Sequence, residues 1–283
     1  MARSTDISPI SQLLSRVDSI ADGGPAHDTV PTGFPSIDHV VGGGLRRGDL
    51  LVLGGDVGSG KSALALAVAL RAAQSGARVV LYSGEMTPQR VMERALAIEG
   101  RVRIDDLRQG SMDERARAAV GAAAVRLRET MPAIDRLPLG GVAALAADLE
   151  TRPAPALVVV DSLEALATGA RPRDEDLAQA VLELKALALR LDVAIFSTSQ
   201  LPGLLPRDDR RPQLDDFGAL GAVKHHADII LGLFREGMYD PQRDIEGATE
   251  LLVRKNRNGG TGYVDLYFYA QWMRFEDMLD PDR

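Results

Sequence analysis

With 283 residues, 45% of them hydrophobic and 26% charged, the chain has room for one large α/β domain with an appendage, or for two modest domains. The absence of cysteine excludes disulfides and thiolate metal sites, and no apolar run approaches the ~20 residues that span a bilayer. A net charge of −7 excludes a uniformly basic coat for nucleic acid, though not a few cations presented into a channel. The opening MARSTDISPI lacks an apolar signal core, so a cytoplasmic protein with no membrane partner is expected.

The first expected element is a short amphipathic helix. Ser8 can cap it, Pro9 suits its first turn and Gly23-Gly24 can end it. Ile10, Leu13, Leu14, Val17, Ile20 and Ala21 share one face at helical spacing. Residues 23–32, with two prolines, read as a linker, which sets a boundary between 1–32 and 33–283. The apolar face must pack either on its own domain or on a partner.

From Gly44 onward strands and helices alternate. Strands are predicted at Leu50-Gly54, Arg78-Ser83, Ala156-Asp161, Val193-Ser197, Ala227-Phe234, Glu250-Arg254 and Tyr263-Tyr269. Ala/Leu-rich helices are predicted at Lys61-Gln74, Gln89-Ile98, Met112-Glu129, Val142-Leu149 and Leu177-Leu191. Continuous apolar strands alternating with helices imply an α/β fold, a mostly parallel twisted sheet covered on both faces. The last two strands alternate more strictly, are joined by residues 256–262, and read as a C-terminal hairpin at one edge.

The run Gly55-Asp56-Val57-Gly58-Ser59-Gly60-Lys61-Ser62 follows the strand LLVLGG and opens a helix at Lys61, the context a phosphate-binding loop requires. Gly55, Gly58 and Gly60 let the backbone curl around an anion, and the helix N-terminus adds its dipole. Lys61 can reach the β- and γ-phosphates of ATP, and the Ser62 hydroxyl can ligate Mg²⁺. Asp161, ending the strand Ala156-Asp161, stands where open α/β sheets bind ligands and can hold the same Mg²⁺ through water. Glu85 follows another strand; it would face the γ-phosphate if that strand neighboured the loop strand, and is otherwise a solvated loop residue. Gln200, ending Ser197-Thr198-Ser199-Gln200, is either a γ-phosphate sensor or a turn residue. Lys255 and Arg257 point to one side of a strand end. They are either a solvated pair or, presented across a subunit boundary, a finger worth ~10³ or more in rate. His225 and His226 have no ligand set around them. Trp272 and Phe275 read as core packing.

Over nearly its whole length the chain resembles the ATPase (C-terminal) domain of DnaB-type replicative helicases, a RecA-like P-loop fold. The matching stretches are Val30-Pro31-Thr32-Gly33-Phe34 with Ile37-Asp38, GDVGSGKS, Ser83-Gly84-Glu85-Met86 and Val160-Asp161-Ser162-Leu163. They continue with Leu184-Lys185-Ala186-Leu187-Ala188, Ser199-Gln200-Leu201, Ala227-Asp228-Ile229, Arg257-Asn258-Gly259 and Gln271-Trp272-Met273-Arg274-Phe275. The resemblance implies that Glu85 is the catalytic base, Gln200 the phosphate sensor, and Lys255 and Arg257 a pair supplied in trans. It implies a homo-oligomeric ring, a hexamer, with ATP at each interface, acting on single-stranded DNA, and a linker helix at Ile10 to Ala21 that docks on the adjacent subunit.

Three departures qualify the likeness. The family's collar domain, which carries primase and loader contacts, has no counterpart in the residues before Val30. The strand-gripping loop of the family carries Arg-Glu-Ser-Gly after Asp-Leu, whereas here Asp216 is followed by Phe217-Gly218-Ala219-Leu220-Gly221. Gly42-Gly43-Gly44-Leu45 and Ser83-Gly84-Glu85 also resemble RadA- and KaiC-type ATPases, which leaves open a regulatory ATPase that does not unwind DNA. Arg171 with Arg173, or Arg207 with Arg210 and Arg211, are the candidate replacements for DNA contact, against the alternative of solvated loops.

Overall fold

The structure, a computed structural model, describes residues 8–21, 28–202, 204, 207–240 and 246–278. Its strands are β1 (Thr29–Val30), β2 (Leu45–Arg46), β3 (Leu50–Gly55), β4 (Val79–Ser83), β5 (Ala133–Arg136), β6 (Leu157–Asp161), β7 (Ala194–Gln200), β8 (Ile229–Phe234), β9 (Ala248–Asn256), β10 (Gly262–Tyr269) and β11 (Arg274–Asp277). The helices are α1 (Pro9–Ala21), α2 (Pro35–Val41), α3 (Lys61–Gln74), α4 (Pro88–Gly100), α5 (Ile104–Gln109), α6 (Glu114–Thr130), α7 (Gly141–Glu150), α8 (Arg173–Leu191) and α9 (Ala222–His226).

One nine-stranded sheet runs in the order β11-β10-β9-β8-β3-β7-β6-β4-β5. The strands from β8 to β5 are all parallel, and β9, β10 and β11 are added antiparallel. This is the mostly parallel α/β architecture that near-continuous apolar strands require, because both faces must be covered. Pleating sends Leu51 and Leu53 into a core shared with α2, α3 and α4, and Leu50 and Val52 into a second core shared with α7, α8 and α9. The RecA-like reading of the sequence therefore holds at the level of fold.

The C-terminal hairpin β9–β10 lies at one end of the sheet, as expected, and β11 pairs outside it. Sequence reading missed β5 and β11 for one reason. In AIDR no residue is buried, and in RFED only Phe275 is, so neither carries the apolar run that marked the central strands. The helix predicted from Met112 begins at Glu114, because Asp113 caps it with Oδ1 accepting from Ala116 N at 2.7 Å. A separate short helix, α5, precedes it. Phe275 is core, stacked 4.4 Å from Phe268, whereas Trp272 is only half-buried and lies 5.1 Å from Tyr269.

At the N-terminus α1 forms with Ser8 Oγ accepting from Ser11 N at 3.2 Å, the cap read from sequence. Ile10, Leu13, Leu14 and Val17 are exposed, while Gly23 and Gly24 fall outside the described residues. Val30 and Thr32, in the stretch read as linker, are buried against the main unit. No helix among the described residues is long and apolar enough to cross a membrane.

Candidate active site

The loop Gly55–Ser62 leaves β3 at the C-terminal edge of the parallel strands and turns directly into α3 at Lys61. Two of its glycines are dictated by space and backbone. A Cβ on Gly55 would meet Ser59 Oγ at 2.6 Å, and Gly60, at φ +104°, would drive one to 2.9 Å from the Phe275 ring. The Ser59 hydroxyl is buried inside this curl with no protein partner. A cradle with no room for side chains and a buried polar atom left over suits a bound polyphosphate.

The neighbouring strands fix what faces the loop. β7 pairs directly with β3, and Gly55 stands opposite Gln200. β6 comes next, ending in Asp161. Asp161 Oδ1 accepts from Ser62 Oγ at 3.0 Å and from Thr198 Oγ1 at 2.6 Å. Burial pushes the Asp161 carboxyl up, and these hydroxyls partly offset the shift. The serine hydroxyl and the carboxylate are hard oxygen donors on one spot, the kind of partial ligand set Mg²⁺ accepts while keeping water and phosphate oxygens. No cluster of three His, Asp or Glu side chains suited to a metal occurs among the described residues, His225 and His226 included.

The strand carrying Glu85 does not neighbour the loop strand. β7 and β6 intervene between β3 and β4, so the condition set by sequence reading is not met. Glu85 nevertheless lines the same cavity of about 320 Å³ as Val57, Gly58, Gly60, Lys61, Ser62, Asp161 and Gln200. Ser162, just past Asp161, bridges the gap by donating from Oγ to Glu85 Oε1 at 2.9 Å. Lys61 Nζ donates to the carbonyls of Gly55 and Asp56 at 2.9 and 3.0 Å. Burial pulls its pKa down, and Glu164, Asp161, Asp56 and Glu85 pull it back up.

Sequence reading missed four groups at this site. Thr198 lies two residues before Gln200 on the same side of β7, so strand alternation could have found it. Glu164 accepts from Ser199 Oγ at 3.0 Å and Gln200 N at 2.8 Å, ties β7 to the turn after β6, and keeps its Oε2 buried without a partner. Arg94 comes from α4, with its Nε buried and unpartnered and its pKa drawn down by burial. Phe268 and Met273 close the apolar side. Nothing in local spacing marks the last three.

Lys255 and Arg257 are not among the residues lining the cavity. They converge instead on the last turn of α9. Lys255 Nζ donates to the carbonyls of Lys224 and His225 at 2.8 and 3.3 Å. Arg257 donates to the His225 carbonyl at 3.0 Å and to Asp228 Oδ1 at 3.0 Å. Of the arginines read as possible DNA contacts, Arg207 is held by both oxygens of Asp216, and Arg211 by both oxygens of Glu250. Arg210 lies 5.2 Å over the Tyr239 ring, while Arg171 and Arg173 are exposed.

Comparison with known proteins agrees with this architecture. Residues 29–277 match the family described as DnaB-like helicase C terminal domain. The chain is 28% identical over 257 residues to the replicative DNA helicase DnaC of Bacillus subtilis, and 31% identical over 256 residues to the replicative DNA helicase DnaB of Leifsonia xyli. Each alignment covers 88% of this chain but 56% of the relative, so the chain spans about half the length of these proteins. Among solved structures, one described as an ATPase domain superposes with a TM-score of 0.86 at 24% identity, covering 97% of this chain and all of that one. A DnaB-like replicative helicase studied with primase superposes at 0.85, also at 24% identity, covering 97% of this chain and 68% of its own. By its sequence match over residues 29–277, and in keeping with its sheet and phosphate-binding loop, the chain belongs to the DnaB-like helicase C-terminal domain family.

Proposed function

We propose that this chain is an ATP-hydrolysing motor that acts on single-stranded DNA as a ring of identical subunits, a hexamer, with ATP bound at each interface. The observation that carries the reading is a division of groups. Lys61, Ser62, Glu85, Asp161 and Gln200 share one cavity, while Lys255 and Arg257 stand apart from it on the α9 end of the same chain. A half-site that lacks its own finger is what a neighbour-completed site requires.

In this mechanism the loop Gly55–Ser62 binds the phosphates, and Lys61 moves from its own loop carbonyls onto the β- and γ-phosphate oxygens. A Mg²⁺ held by Ser62 and Asp161 would supply charge neutralisation at the phosphates. Glu85, its carboxylate fixed by Ser162, orients the attacking water and takes its proton. Gln200 reads the γ-phosphate through its amide, and its backbone N–H on Glu164 passes the state to the turn after β6. The neighbour's Arg257, assisted by Lys255, neutralises charge that develops in the transition state.

A regulatory RadA- or KaiC-like ATPase is the second reading. It is favoured by the apolar loop after Asp216 and by the engagement of Arg207 and Arg211 in ion pairs within the chain. The ATPase rate with and without single-stranded DNA, with Lys61→Ala as control, separates the two. The motor reading expects several-fold stimulation. Absence of stimulation together with absence of DNA binding at low salt, where phosphate contacts are strongest, would sink it.

A further inference from the structure

The phosphate-binding loop is held from outside by a segment that its own motif does not contain. Residues 235–239, between β8 and β9, touch it at three points. Arg235 reaches the Gly58 carbonyl at 3.5 Å, the Met238 methyl lies 3.8 Å from where a Cβ on Gly58 would stand, and Tyr239 Oη donates to Asp56 Oδ2 at 2.9 Å. The other Asp56 oxygen accepts from Val57 N at 2.7 Å, and the Asp56 carbonyl accepts from Ser59 N at 3.1 Å and from Lys61 Nζ. Asp56 is thus the corner on which the first half of the loop turns.

Tyr239 is well built to hold that corner. Its ring stacks on Phe234 at 5.7 Å with an interplanar angle of 14°, and the Arg210 guanidinium covers it at 5.2 Å. Phe234 in turn lies 4.8 Å beneath Arg211, which Glu250 fixes with both oxygens. Burial and the bond to Asp56 push the phenol up to about 12, so it stays a donor throughout the working range. Asp56 is an anion placed in a loop that must receive anions. Left free, its carboxylate can turn toward a polyphosphate and repel it. Bonded to Tyr239 and Val57, it is fixed outward and its charge is partly satisfied.

We infer that Tyr239 is a positioning residue for nucleotide binding, acting through Asp56 to hold the phosphate-binding loop in its binding shape and to keep the Asp56 carboxylate away from the phosphates. The inference rests on the nucleotide reading of the site. It also ties the arginine-rich segment 207–211, which follows Gln200, to the loop through the Tyr239 ring, a route separate from Gln200 itself.

The test uses the full chain with a fluorescent ATP analogue and Mg²⁺, measuring affinity, ATPase KM and kcat. The Tyr239→Phe change keeps the ring on Phe234 and under Arg210 while removing the hydroxyl. It is expected to weaken binding and raise KM about tenfold, the equivalent of one hydrogen bond to a charged acceptor, with kcat within about twofold. In an Asp56→Ala background the same substitution is expected to change affinity by less than about twofold. A merely structural role would give equal losses in both backgrounds. Either that result or an unchanged affinity for Tyr239→Phe overturns the inference. Asp56→Ala alone gives a second readout that needs no Tyr239 variant. Amide hydrogen exchange should quicken at residues 235–239 as well as at 55–62, and unchanged exchange at 235–239 also overturns it. If the wild-type chain binds the analogue no better than Lys61→Ala does, the nucleotide reading itself falls, an outcome distinct from both.

Discussion

Asp228 is the residue whose removal should be felt most widely. It is buried, with a side chain 4% exposed, and three elements meet on its carboxylate. Oδ2 accepts from Leu50 N at 2.8 Å, where β3 begins, and from Lys185 Nζ of α8 at 2.6 Å, while Oδ1 accepts from Arg257. Lys185 is itself only 15% exposed, so Asp228→Ala leaves a mostly buried cation and an orphaned strand N–H. Breaking a buried pair by removing one partner costs ~3–5 kcal/mol. The Gly48 carbonyl remains on Lys185 at 2.8 Å and Asp49 lies 3.9 Å away, which places the loss near the lower end, about 3 kcal/mol. Arg257 contributes little to that figure, because it is half-exposed and exposed pairs are worth at most ~1 kcal/mol. Urea unfolding monitored by circular dichroism gives the number. Adding Lys185→Met should recover a large part of the loss, since no unpaired cation then remains. A loss below about 1 kcal/mol, or a Lys185→Met effect that simply adds, would falsify the view that Asp228 is chiefly the counter-charge of a buried lysine.

Two further expectations follow from the division of the site. Arg257→Ala should cost less than about 1 kcal/mol of stability while abolishing most ATPase activity, because its guanidinium is held at the surface of its own chain. Mixing Arg257→Ala with Glu85→Ala subunits should then restore part of the activity, and a strictly additive loss would refute a shared site. Removing residues up to Ala26 takes away the exposed Ile10, Leu13, Leu14 and Val17 and should shift the protein toward monomer on size-exclusion chromatography. An unchanged elution volume would mean that α1 does not join subunits.

What could be read from the chain alone tracks how local each signal is. β3, β6 and β7 announced themselves because a strand buried on both faces needs an unbroken apolar run, and the loop Gly55–Ser62 because phosphate binding demands glycines at fixed steps. β5 and β11 carry one buried residue between them, and their strand character comes from the partners β4 and β10. The site divides in the same way. Ser62, Asp161 and Gln200 were legible because each stands at a strand or helix end beside the loop. Glu85 was legible as a residue but not in its route, since it reaches the cavity across two intervening strands by way of Ser162.

The long-range contacts Lys185–Asp228 and Tyr239–Asp56 escaped notice for a different reason: each depends on what another segment places against the residue. Lys185 and Asp228 were visible only as parts of matching stretches, and no spacing within either one foretells a 2.6 Å bond between residues 43 positions apart. Tyr239 and Asp56 are farther apart still, at 183 positions. The first pair connects the parallel core to Arg257, the residue proposed to serve a neighbour, and the second connects the phosphate-binding loop to the segment that carries Arg210. A substitution within the loop motif acts where the nucleotide is held. A substitution at Tyr239 should raise KM through the loop with little change in kcat. One at Asp228 acts on stability and on how Arg257 is held, and a split between KM, kcat and complementation in mixed subunits separates these cases.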